Sequence, residues 1–257
     1  MITLTDVWLT LGERQVLKEI SLTVPAGETK VILGGSGSGK TTILRVILGL
    51  YRPDRGRLLI DGQDITATRE RDLSEVRQRM AMVFQGSALF DSLTVRENVG
   101  YRLWEHGRLS DTMIEKSVRE SLQFVGLEHA IDKMPAELSG GMRKRVGIAR
   151  ALASGARIIL YDEPTAGLDP INTCMISRLI ELLKSKGVTQ VVVTHDLATA
   201  YRVADRIVMI HKGRMIFEGI PEELTRSTNP DIRAFLLPDG QCFDAEAFAA
   251  SELGQPD

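Results

Sequence analysis

Gly34-Gly35-Ser36-Gly37-Ser38-Gly39-Lys40-Thr41 is the stretch on which the reading of this chain turns. It satisfies the phosphate-loop pattern GxxxxGK[ST]. Thr29–Leu33 before it predicts a buried strand, and Thr41–Leu50 after it has apolar residues at helical spacing. The order strand, glycine-rich loop, helix is what phosphate binding requires. Glycines let the backbone wrap closely around an anion with its amides turned inward, and the N-terminus of the following helix presents its positive dipole end to the same charge. Gly34, Gly35, Ser36, Gly37, Ser38 and Gly39 are therefore expected to cradle phosphates, with Lys40 bridging the β- and γ-phosphates of ATP. Thr41 is expected to place its hydroxyl on Mg²⁺, and Thr42 to add a contact to the α-phosphate.

On the N-terminal side, Ile2 to Val24 is rich in Val, Ile, Leu and Thr, with turn breaks at Leu11-Gly12 and Pro25-Ala26-Gly27, and predicts strands. On the C-terminal side, strands are predicted at Gly56–Asp61 and Met80–Phe84. Three helices follow, at Val95–Trp104, Thr112–Val125 and Gly140–Ala153, a helical block inserted into an α/β chain. Alternation then returns: strand Arg157–Tyr161, helix Asn172–Lys186, strand Thr189–Thr194, helix Leu197–Ala204, and strands near Ile207–Ile210 and Arg214–Phe217. Such alternation argues for a mainly parallel sheet covered on both faces. Beyond Pro221 the pattern weakens to short helices at Pro221–Arg226 and Ile232–Leu236 and an acidic, Ala-rich end.

Arg157-Ile158-Ile159-Leu160-Tyr161-Asp162-Glu163 is an apolar strand ending in two adjacent acids. Successive strand residues point to opposite faces, so the acids serve different ends. Asp162 is placed to hold Mg²⁺ through water, and Glu163 to accept a proton from a water attacking the γ-phosphate.

Leu138-Ser139-Gly140-Gly141-Met142, followed by the basic helix Arg143 to Leu152, closely resembles the signature motif of ABC ATPases. The order P-loop, Gln85 in Val-Phe-Gln, signature, Asp162-Glu163, Ala166-Gly167-Leu168-Asp169 and Thr194-His195-Asp196 matches that family's Walker A, Q-loop, signature, Walker B, D-loop and H-loop. The resemblance covers about Ile2 to Gly219. It implies an α/β fold with a RecA-like P-loop NTPase core, an N-terminal antiparallel β subdomain and an inserted α-helical subdomain. The ATPase domain would span 1–219, with the helical subdomain at about 86–153 and a C-terminal extension at 220–257. The resemblance also implies a homodimer. Ser139 and the amides of Gly140 and Gly141 open a helix and so make a second anion site, which one chain cannot aim at the ATP in its own P-loop. Two copies would meet head to tail, and Ser139, Gly140, Gly141 and Asp169 would all be nucleotide-binding residues. His195 would contact the γ-phosphate, and Gln85 would sense Mg²⁺ at the hinge of the helical subdomain. Two departures from the family stand out. Leu11 replaces the aromatic that stacks on adenine, with Trp8 as a candidate substitute, so a looser adenine preference is expected. Met142 replaces a Gln, removing a hydrogen-bonding side chain that could reach the ribose.

Phe84-Gln85-Gly86-Ser87-Ala88-Leu89-Phe90-Asp91-Ser92-Leu93-Thr94-Val95-Arg96-Glu97-Asn98-Val99, with the signature, Asp169-Pro170-Ile171 and Ile232-Arg233-Ala234-Phe235-Leu236, is similar to the ATPases of Mla or Mce-type phospholipid transporters. That subfamily implies permease subunits, an MCE-domain protein and a small STAS-type subunit as partners. Leu89, Phe90 and Leu93 would form the groove that receives a permease helix. The alternative is the ATPase of an importer for amino acids or another small solute, which shares the catalytic residues.

Composition agrees with such a subunit. The 257 residues are 43% hydrophobic, and 32 basic against 34 acidic residues leave a net charge of -2. That balance offers no footprint for nucleic acid or for polybasic attachment to lipid. No run is apolar enough to span a bilayer and the start has no basic n-region, so the chain is expected to stay at the cytoplasmic face of the inner membrane and to meet it through the permease. Cys174 and Cys242 form no metal-binding pattern. DNA-repair and ribosome-acting relatives would usually carry a second cassette, a long coiled coil or a basic surface. A lone kinase or GTPase has no use for the signature or the H-loop.

Overall fold

The computed structural model describes residues 1–107 and 109–236. The tail from Pro238 to Asp257, for which a clasp across the dimer and disorder are both open expectations, lies outside them, as does Cys242. Two sheets organise the described residues. An antiparallel sheet holds β1 (Ile2–Leu11), β2 (Arg14–Val24), β4 (Arg55–Ile60) and β5 (Gln63–Asp64) in the order β2-β1-β4-β5. A six-stranded sheet contains β3 (Thr29–Leu33), β6 (Met80–Val83), β7 (Ile158–Asp162), β8 (Thr189–Thr194), β9 (Arg206–His211) and β10 (Arg214–Gly219), in the order β10-β9-β3-β8-β7-β6. All its neighbours are parallel except β9 and β10. The helices are α1 (Lys40–Ile47), α2 (Leu73–Gln78), α3 (Val95–His106), α4 (Asp111–Phe124), α5 (Gly140–Ala153), α6 (Pro170–Ser185), α7 (Leu197–Val203), α8 (Pro221–Thr225) and α9 (Pro230–Leu236).

Strands β3, β7 and β8 are buried at every position, as a parallel sheet covered on both faces demands. Their side chains alternate between two cores. Val31, Leu33, Ile159, Tyr161 and Val192 pack against the α3, α4 and α5 side, while Ile32, Ile158, Leu160, Val191 and Val193 pack against α1 and the antiparallel sheet. Tyr161 is fully buried, and its hydroxyl donates to Gln190 Oε1 at 2.8 Å. The Gln190 amide in turn donates to Thr29 Oγ1 at 3.1 Å and to the Ile180 carbonyl at 2.9 Å. Burial pushes the Tyr161 phenol well above its ordinary range, so it stays a neutral donor. Tyr161→Phe strands the Gln190 carbonyl oxygen in the core and is expected to cost about 1–3 kcal/mol, read as a lower urea midpoint with ATP turnover retained.

Element boundaries differ from the sequence expectations where caps decide them. α1 stops at Ile47 rather than Leu50, because Gly49 adopts φ +67° directly after the Leu48 cap. α6 starts at Pro170 rather than Asn172, since Asp169 caps it by accepting from the Asn172 amide at 2.9 Å and proline suits the first helical turn. α2 is unanticipated: only Leu73 and Val76 of its six residues are buried, too little pattern for a period to register.

Candidate nucleotide site at the carboxyl edge of the parallel sheet

The strand register gathers the motifs. Leu33 pairs with Thr194, Asp162 with Val193 and Val83 with Tyr161. The P-loop, Glu163, His195 and Gln85 thus leave neighbouring strands at one level, in the crevice outside the carboxyl ends where open α/β sheets bind ligands. There Gly35, Ser36, Gly37, Lys40, Thr41, Gln85, Glu163 and His195 line a cavity of about 830 Å³. Asp196, next to His195 in the same motif, also lines it, as do Leu197 and Phe235, which the sequence motifs did not disclose.

The loop itself is tightly constrained. Gly34 abuts the Ile210 carbonyl, where a Cβ would collide with main chain, and Gly39 caps α1 at φ +109°. Lys40 is buried; its Nζ donates to the carbonyls of Gly34 at 2.8 Å and Gly35 at 3.1 Å and lies 3.7 Å from Glu163 Oε1. Burial lowers the pKa of this ammonium, and the carboxylates of Glu163 and Asp162 offset part of that shift. The cation is thus held at the mouth of the loop with anionic partners within reach.

Thr41 Oγ1 donates to Asp162 Oδ1 at 2.8 Å. Burial raises the Asp162 pKa, the Thr41 hydrogen bond lowers it and Glu163 raises it further. A partly buried carboxylate beside a hydroxyl and a second acid is suited to a hard cation. Thr41 and Gln85 line the cavity and Asp162 stands just behind, hydrogen-bonded to Thr41; this oxygen set fits Mg²⁺, which takes few protein oxygens and completes its shell with water and phosphate.

Glu163 does not continue the strand. Its φ is +49°, a left-handed conformation uncommon outside glycine. Oε2 accepts from the His195 amide at 3.3 Å and lies 2.9 Å from His195 Nδ1. The acid is largely buried and the imidazole is open to the cavity, an arrangement in which a carboxylate can orient the ring while facing a water.

Ser139, Gly140, Gly141 and Asp169 stand apart, and none of them lines this cavity. Ser139 caps α5, its Oγ accepting from the Met142 amide at 3.3 Å. Gly141 packs so closely on the Asn172 side chain that a Cβ would clash with it. Asp169 accepts from Asn172 and is held below the usual carboxylate range by those hydrogen bonds. Thr42 is also absent from the lining. Trp8 is engaged elsewhere: its Nε1 donates to Asp6 Oδ1 at 2.7 Å and Arg214 lies over its ring. It does not line the cavity, and Leu11 on the same strand is exposed.

Comparison with known proteins places the chain in a family. The ABC transporter family profile matches residues 17–166, more than half of the chain. The chain is 41% identical over 243 residues to the intermembrane phospholipid transport system ATP-binding protein MlaF of Escherichia coli K12, covering 93% of this chain and 90% of that protein. It is 38% identical over 253 residues to protein TRIGALACTOSYLDIACYLGLYCEROL 3, chloroplastic, of Arabidopsis thaliana, covering 91% of this chain and 73% of that one. Among solved structures, the ATP-binding cassette MJ0796, a dimer in a post-hydrolysis state bound to ADP and phosphate, superposes with a TM-score of 0.79 at 35% identity, over 86% of this chain and 99% of that one.

Proposed function

Since the chain belongs to the ABC transporter family and is one of its ATP-hydrolysing subunits, we propose that it powers phospholipid movement between bacterial membranes as part of an Mla or Mce-type system. The observation that carries this reading is similarity along nearly the whole chain to an ATPase of intermembrane phospholipid transport. No helix among the described residues is long and apolar enough to cross a membrane, so permease subunits would hold this one at the cytoplasmic face of the inner membrane.

The site residues take the following roles in this proposal. The P-loop amides and Lys40 bind and orient the ATP phosphates. Thr41 and Asp162, with Gln85, would hold Mg²⁺, which would supply neutralisation of phosphate charge. Glu163 accepts the proton of the attacking water, and His195, tied to Glu163, fixes the acid's orientation toward the γ-phosphate. Gly34, Ser38 and Gly39 shape the loop, and Thr42 follows it on the same helix.

Ser139, Gly140, Gly141 and Asp169 of a second copy complete the site from across a head-to-tail dimer. Their absence from the lining of their own chain's cavity supports that reading. ATP then joins two subunits, and loss of its γ-phosphate releases them. We assign 1–219 to the ATPase domain, 86–153 to its helical subdomain and 220–257 to a C-terminal extension.

The helical subdomain offers a docking place for the permease. Phe90 is exposed and its ring sits 4.6 Å from that of Tyr101, while Leu93, Tyr101 and Trp104 line an adjoining cleft of about 490 Å³. Leu89 is half-buried against the core and does not line this cleft, which limits the expected groove to Phe90 and Leu93. Copurification of the tagged chain from its native membrane tests the assignment. Permease, MCE-domain and STAS-type subunits with bound phospholipid are expected. Recovery with a solute-binding protein and no MCE-domain subunit would replace the lipid reading with that of a small-solute importer.

A further inference from the structure

The basic helix after the signature hides one of its cations. Lys144 is 5% exposed, and its Nζ donates to the main-chain carbonyl of Glu163 at 3.1 Å, where the Ala166 amide also donates at 3.2 Å. Nothing in the nucleotide-binding roles given above uses this residue. Burial lowers the pKa of its ammonium, and the nearby carboxylates of Glu163 and Asp162 offset part of that shift. An amine in that position is costly to bury unless its contact is needed.

The contact falls on a special piece of backbone. Glu163 is one of the few non-glycine residues of the described chain with positive φ, a conformation that survives only where its surroundings impose it. Its amide donates to the Val193 carbonyl of β8 at 2.9 Å, and its carbonyl is held by Lys144. The peptide is thus gripped from the sheet on one side and from α5 on the other. Farther along the same helix, Arg150 donates to the carbonyls of Ser87 at 3.1 Å and Ala88 at 2.8 Å, a second left-handed pair just beyond Gln85. Near the start of the helix, glycine at 141 lets α5 come down onto Asn172, where a Cβ would clash. One rigid helix therefore carries the signature at its N-terminus and touches the backbone behind both Glu163 and Gln85.

We propose that Lys144 is a positioning residue for hydrolysis: by holding the Glu163 carbonyl it fixes the left-handed turn that aims the Glu163 carboxylate at the γ-phosphate side of the cavity. The signature and the proton acceptor then move as one body, so a subunit whose signature is displaced also misaligns its own base. This inference rests on Glu163 being that base.

The test uses the full chain assembled with its membrane partners. Lys144→Met keeps the length and removes the donor, and Lys144→Gln restores an uncharged donor. With Met, kcat is expected to fall about tenfold, while KM for ATP and nucleotide affinity stay within about twofold of wild type, the pattern of a lost transition-state contact. With Gln, most of the lost kcat returns. Unchanged kcat in the Met variant overturns the proposal, as does an equal loss in Met and Gln. A Met variant that does not fold, or that loses nucleotide affinity and melting temperature along with kcat, also overturns it, because the lysine would then be holding the fold. Glu163→Gln measured alongside separates the two claims: full turnover in that variant removes the base assignment itself, whatever Lys144 does.

Discussion

Glu163→Gln is expected to bind ATP as tightly as the wild type and to release phosphate about 10³-fold more slowly, within the range that a positioned general base contributes. The amide is nearly isosteric with the carboxylate. It can still accept from the His195 main-chain amide, and it leaves the Lys40 contacts with Gly34 and Gly35 in place. What it cannot do is take a proton. Glu163 is largely buried and already tied to His195, so the lost proton acceptor is a positioned one. Phosphate release measured on the assembled complex, beside equilibrium binding of a fluorescent ATP analogue, separates the two effects. Near-normal hydrolysis would mean that another group activates the water.

Ser139→Arg produces the second large loss, and the interest lies in where it acts. Ser139 opens α5 and does not line the cavity of its own chain, so the substitution leaves the P-loop, Lys40 and Thr41 untouched. ATP binding to the isolated subunit is therefore expected to stay within about twofold of wild type. Turnover is expected to fall by about 10²-fold or more, the scale seen when a preorganised donor to developing charge is removed. The bulky side chain would fill the space into which the γ-phosphate bound by the other subunit must fit. Steady-state hydrolysis and nucleotide affinity of the same preparation provide the check. Wild-type turnover from this variant would show that each P-loop hydrolyses without its neighbour.

Much of the fold was legible because its signals were dense. Thr29–Leu33, Thr189–Thr194 and Gly140–Ala153 occur as the sequence predicts, since the first two are rich in β-branched residues and the third is a capped helix. The P-loop, the acids after β7 and the histidine after β8 all follow strands, so once the sheet is parallel its register brings them together. What local sequence hides is backbone conformation and burial against type. Nothing in Tyr161-Asp162-Glu163-Pro164 announces that Glu163 turns left-handed, because the turn is imposed by Val193 on one side and Lys144 on the other, both distant in sequence. Lys144 reads as one more solvated base in Arg143-Lys144-Arg145. A signal existed, since positions 144, 148 and 151 share a helical face with buried Ile148 and Ala151, and a lysine there must go inward. Phe235 had no such signal, because it reaches the cavity only through the packing of α9.

The claim on which the rest depends is that two copies of this chain clamp ATP between the P-loop of one and the signature of the other. Sedimentation equilibrium of the Glu163→Gln chain, run with ATP and Mg²⁺ and again with ADP, measures it directly. A particle of twice the chain mass with ATP and a single chain with ADP is the predicted result. A single chain under both conditions, even with the membrane partners added, would contradict it.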